Sequence, residues 1–145
     1  MNFPAIRLLG YPAVLASLVF LGVACGGDAP PATREVTAWR KLGTWSGQGP
    51  ISTDPFISDT GTLRLHWETR SESAPGKGFF KVTVFSDVSG RPLLVAVDHQ
   101  GTGMDTIYVN EDPRPFYLGI ESAHLEWSVS VDEAIPAIAT DPVRP

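Results

Sequence analysis

The sequence is poor in the features that most often announce an activity. It holds one cysteine, Cys25, in 145 residues, so no disulfide forms within the chain and no Cys-x-x-Cys motif exists. Its three histidines, His66, His99 and His124, fall on separate segments and never at the close spacing of a zinc-binding pair. There is no Gly-x-Ser-x-Gly elbow, and nothing pairs a nucleophile with a base as a hydrolase requires. Lys and Arg number 11 against 16 Asp and Glu, a net charge of −5, with no basic block. Nucleic acid and anionic membrane surfaces are therefore poor partners by charge alone. Beyond the first residues, no window carries a helical stripe of apolar positions.

What is present suits one packed domain. Hydrophobic residues make up 43% of the chain, and four Trp with seven Phe supply a core that needs no disulfide. The 13 Pro and 14 Gly lie between apolar runs as turn punctuation.

The lone cysteine ends an uncharged stretch. Met1–Ala24 has the parts of an export signal: Arg7 in the n-region, no charge from Leu8 to Ala24, and the small residues Gly22, Val23 and Ala24 at the end. Gly10 and Pro12 interrupt its start, and Ala13–Ala24 is too short to cross a hydrocarbon core of about 30 Å. The run "GVAC" resembles the lipobox of bacterial lipoproteins, with Gly22 standing where that family usually has Leu. The resemblance implies cleavage before Cys25, acylation of its thiol and a firm membrane anchor without a protein span. It also implies the cell envelope, and the outer membrane in a Gram-negative cell, because Gly26 and Gly27 rather than Asp follow the cysteine. The alternatives are a plain secretory signal with an incidental cysteine and a permanent transmembrane helix. Acylation has a chemical logic, since it consumes a thiol that is otherwise a liability in an oxidising compartment.

The rest reads as a linker over residues 25–38, one β domain over residues 39–133 and a disordered tail over residues 134–145. "GGDAPPATREVTA" is too small and polar to offset the entropy of ordering, and "IPAIATDPVRP" carries three prolines. Between them the period is two. Leu63, Leu65 and Trp67 share one face of "TLRLHWETR", leaving Arg64, His66 and Glu68 on the other. Phe80, Val82 and Val84 share a face of "FFKVTVF", and Leu125, Trp127, Val129 and Val131 share a face of "LEWSVSV". "LLVAVD" is apolar on both faces and reads as a central strand. "TIYVN", "FYLGIES" and a strand across Trp39–Trp45 complete the set, joined by the turns "APGKG", "SDVSGRP", "HQGTG" and "EDPRP". The expected fold is a single antiparallel β-sandwich of six to eight strands, jelly-roll or immunoglobulin-like.

The series "FFKVTVFSDVSGRPLL", "GTGMDTIYV", "FYLGIES" and "LEWSVSVDE" resembles small β-sandwich domains of uncharacterised exported bacterial proteins and, more remotely, pre-peptidase C-terminal jelly rolls. That resemblance implies a non-catalytic accessory module and assigns no functional residue.

Three positions remain as candidate ligand contacts. Asp98 and Asp105 bracket the turn "HQGTGM", where two carboxylates and loop carbonyls would suit calcium; the bland reading is solvated loop acids. In "FYLGI", alternation puts Phe116, Leu118 and Ile120 on one face and Tyr117 with Gly119 on the other. An exposed ring beside a glycine is a platform for a sugar or for a partner's apolar side chain. Trp39, Trp45 and Tyr108 likewise do not all fit the core. "GTGMDT" has neither the lysine nor the following helix of a phosphate loop. The reading is a lipid-anchored, non-catalytic protein-interaction or structural module that requires no cofactor. Its partners are the membrane through Cys25 and another envelope protein. The alternative is a ligand-binding sandwich for calcium or a saccharide.

Overall fold

Alternating sequence gives alternating structure. A computed structural model describes residues 31–140; the expected signal, Cys25, residues 26–30 of the linker and residues 141–145 of the tail lie outside the described residues. The described residues form nine strands and no helix: β1 (Thr33–Gln48), β2 (Ile51–Ser52), β3 (Phe56–Ser58), β4 (Thr62–Arg70), β5 (Phe79–Ser86), β6 (Pro92–Gln100), β7 (Gly103–Asn110), β8 (Arg114–Ala123) and β9 (Glu126–Thr140). They make two antiparallel sheets, the first in the order β1-β9-β4-β7 and the second in the order β2-β8-β5-β6, with β3 also on β8. The protein is an all-β sandwich.

Its core is the set that period-two reading selects. Leu63, Leu65 and Trp67 of β4 and Trp127, Val129 and Val131 of β9 face Phe80, Val82 and Val84 of β5 and Phe116, Leu118 and Ile120 of β8, all buried. At roughly 1.5–3 kcal/mol for each fully buried large apolar side chain, this interface dominates the folding energy. Trp67 and Trp127 both pack on Phe80, with ring centroids 5.7 and 6.1 Å away, which joins the two layers at their centre.

The count exceeds eight because one edge is broken. β2 and β3 are two fragments along the same side of β8, separated by Thr53–Pro55. Proline offers no N–H to a ladder, and Thr53 fills the gap. Its backbone N–H donates to Leu118 O (2.9 Å), and its Oγ1 accepts from the Leu118 N–H (3.0 Å).

Two expectations are corrected. The domain does not stop at Trp39 and Glu133, because β1 and β9 continue as a two-stranded ribbon from Ala38↔Ile135 to Thr33↔Thr140. Val36 and Ala38 on one strand and Ile135 and Ala137 on the other keep the parity of the core face and are half-buried. Pro136 is tolerated because β9 beyond Glu133 has β1 as its only neighbour, which leaves one side open. The second correction concerns β6, which is an edge strand rather than a central one. Register shifts against β5, between Val82 and Thr83 and between Val84 and Phe85, change which face successive residues meet. Leu93 and Leu94 are therefore both half-buried while Val95 is 51% exposed.

Candidate binding face

The most perturbed acid in the fold is internal. Glu133 is 0% exposed, at the position on β9 that follows the inward Val129 and Val131. Its Oε2 accepts from Ser58 Oγ (2.8 Å) and from the backbone N–H groups of Asp59 (3.0 Å) and Thr60 (3.3 Å). Its Oε1 accepts from Arg40 Nε (2.8 Å) and from the Arg40 terminal nitrogen, which also binds Asp59 (2.6 Å). Burial pushes this carboxyl's pKa up, but the Ser58 hydroxyl, Arg40 and the two backbone donors outweigh it and hold the group below its ordinary value. Arg40 is held above its own, by Asp59 first and Glu133 second. A carboxylate so fully occupied and enclosed has no free lone pair for a substrate. It staples β1, β9 and the β3–β4 turn.

An open groove lies elsewhere, on the outer face of the second sheet. The alternation that sends Val82 and Val84 inward sends Lys81, Thr83 and Phe85 outward, and on β8 it sends Tyr117, Gly119 and Glu121 outward. The antiparallel register sets these opposite one another as Lys81↔Glu121, Thr83↔Gly119 and Phe85↔Tyr117. Phe85 and Tyr117 stack with centroids 4.9 Å apart and planes 6° from parallel. Gly119 makes room for this pair, since a Cβ there would stand 2.7 Å from Phe85 Cε2. At the other end Lys81 Nζ lies 3.4 Å from a Glu121 carboxylate oxygen. Pro50 and Ile51 form one wall and Pro92 and Val95 the other, around an open groove of about 690 Å³.

Tyr117 thus sits on the outer face that alternation assigns to it, but Phe85, not bare backbone, covers Gly119. The two candidate calcium ligands do not converge. Asp98 lies on β6 opposite Lys81, while Asp105 lies on β7 of the other sheet and accepts from the Thr106 N–H (2.7 Å). The physical reason is the "HQGTGM" turn itself, which hands the chain from one sheet to the other. Among the described residues no group of three or more His, Cys, Asp or Glu side chains is placed to hold a metal ion. The histidines remain apart: His66 Nδ1 lies 3.0 Å from Thr106 Oγ1, His99 packs on Trp67 with centroids 4.8 Å apart, and His124 Nδ1 lies 3.4 Å from Ser73 Oγ.

The remaining aromatics divide between core and surface. Trp45 turns inward against Phe56. Trp39 lies outside on the first sheet, 5.8 Å from the Tyr108 ring, with the Arg64 guanidinium 4.4 Å over it. Arg64 is also paired with Asp132 at 2.9 Å, so this cluster satisfies itself. Sequence reading missed Phe85, Lys81, Ile51 and Val95 as companions of Tyr117. The signal for Phe85 was its outward parity in "FFKVTVF". No protein-family model matches the chain, and no curated protein matches it.

Proposed function

We propose that this chain is a lipid-anchored protein of the bacterial cell envelope whose sandwich is a non-catalytic binding module, held at the outer membrane if the cell is Gram-negative. The anchor reading is supported by the single cysteine, placed where a "GVAC" run requires it. Ordered strand begins at Thr33, so the linker from Cys25 is short: residues 26–32 span at most about 25 Å when fully extended. A tether of that reach confines the domain to a thin layer and raises its effective concentration toward neighbours in the same layer.

The observation that carries the binding role is the groove over Phe85 and Tyr117, a concave site on rigid strands. The sequence leaves two kinds of partner open, an envelope protein and a small ligand, and both readings use this face. The anchor is tested by Cys25→Ser. Wild-type protein should sediment with membranes, incorporate labelled palmitate and be cleaved before Cys25, and the variant should carry no label and keep its signal. Wild-type protein without label, or a variant cleaved at the same place as wild type, would sink the lipobox reading.

A further inference from the structure

We propose that the groove on the outer face of the second sheet binds a neutral saccharide, one sugar ring stacking on the Phe85–Tyr117 pair while hydroxyls reach Lys81 and Glu121. The inference rests on the reading of this groove as the binding face and adds the chemistry of the ligand.

A sugar ring has apolar C–H faces and a rim of hydroxyls that both donate and accept, so its receptor needs an aromatic surface flanked by donors and acceptors. Both lie within one strand segment here. Phe85 and Lys81 are four residues apart on β5, about 13 Å along the strand. The Lys81 ammonium brings three donors and the Glu121 carboxylate only acceptors, and both side chains remain open to solvent. Thr83, on the floor between them, adds a hydroxyl.

Charge narrows the class. Lys81 and Glu121 are the charged residues lining the groove and pair with each other, and the exposed Asp98 stands opposite Lys81 at its edge. An anion gains nothing there, whereas a neutral polyhydroxylated chain can bridge both members of the pair. A protein partner prefers an apolar centre with a polar rim; this groove instead runs from an aromatic end to a charged end, with Thr83 and Gly119 between them. Rigidity favours the same reading. The ring pair is fixed across two paired strands and seated on the vacancy at Gly119, so little side-chain freedom is lost on binding.

The test uses the full chain purified in mild detergent, titrated calorimetrically with cellohexaose, chitohexaose, maltohexaose and mannohexaose. At least one should bind with unit stoichiometry and with little dependence on salt, as a neutral ligand requires. Tyr117→Ala should weaken that affinity about tenfold, the scale of one lost stacking contact. Gly119→Ala should weaken it too, by displacing Phe85, and Tyr117→Phe should retain it. These are surface positions, and unchanged unfolding midpoints verify that the variants are folded. Absence of binding by all four sugars, or binding indifferent to Tyr117→Ala, overturns the proposal. A photo-crosslinking residue at Val95 in intact cells separates the two levels. A protein adduct without sugar binding overturns the saccharide and keeps the groove as the binding face, while neither adduct nor sugar binding overturns both.

Discussion

Glu133→Ala is expected to destabilise the domain by about 3–5 kcal/mol, the cost of breaking a buried and fully hydrogen-bonded charge. The loss is not a matter of volume. Truncation leaves Ser58 Oγ, the N–H groups of Asp59 and Thr60, and Arg40 without the acceptor that gathers them. Arg40 is partly open to water and can rehydrate, so that cost falls on the enclosed donors. Arg40→Ala should also destabilise, because it leaves the buried Glu133 carboxylate with Ser58 and the two N–H groups but without its counter-charge. Urea unfolding at neutral pH measures both losses. The pH dependence has a definite sign. The folded-state pKa of Glu133 lies below its unfolded value of about 4.3, so its contribution is fully present above that value and is lost as pH falls through the folded one. In that window Glu133→Gln should lose less stability per pH unit than wild type. A Glu133→Ala protein within about 1 kcal/mol of wild type at neutral pH would show that the cluster does not hold the fold together.

Gly61→Ala should be comparably damaging, for a steric reason. Gly61 has φ +73°, and a Cβ built there stands 1.8 Å from the Glu111 carbonyl oxygen and 2.9 Å from the Asp112 carbonyl carbon. These are backbone atoms and cannot swing aside. The close approach is used on both sides, because the Gly61 carbonyl accepts from the Glu111 N–H (3.0 Å) and the Gly61 N–H donates to Ser58 Oγ (2.9 Å). Ser58 in turn donates to Glu133, so prising this turn open also disturbs the buried carboxylate. Left-handed backbone costs an alanine about 1–2 kcal/mol, and separating two packed segments brings the total to roughly 3–5 kcal/mol. Gly76→Ala is the matched control: φ is +76° and nothing lies within 4 Å, so only the backbone penalty of about 1–2 kcal/mol applies. Equal losses for the two variants would mean that the contact with Glu111 is irrelevant.

Both variants bear on what the sequence made legible. The inward residues of β4, β5, β8 and β9 followed from parity alone, because a half-wet sheet forces alternation. The same parity points at Glu133: extending Leu125, Trp127, Val129 and Val131 by two places puts a carboxylate in the core. Such a placement is sustainable only with partners, and those come from β1 and the β3–β4 turn, which no local pattern brings near. The ribbon ends were illegible for a related reason. "TREVTA" is polar and "IPAIAT" carries proline, so each alone reads as loose chain; their order comes from pairing across almost the whole sequence. β6 misled because apolar residues on both sides of a strand arise from register shifts as readily as from burial on two faces. At the groove, Tyr117 and Gly119 were visible from β8 by itself. Phe85 entered only once β5 was set against β8 in register, which is tertiary information.

The long pairing of β1 with β9 also has a mechanical meaning. If the chain is anchored at Cys25 and engaged through the second sheet, tension enters at Thr33 and runs along β1. Its rungs against β9, from Thr33↔Thr140 to Gln48↔Glu126, are then loaded side by side and must yield together. Tension applied between the two chain ends acts differently, because both leave the same end of the ribbon and Thr33↔Thr140 peels first. Single-molecule pulling should therefore need a higher force when the second handle is on β5 than when it is at the C-terminus. Equal forces would rule out the shear geometry. A fold arranged this way resists in the direction in which a tethered, ligand-bound surface protein is pulled.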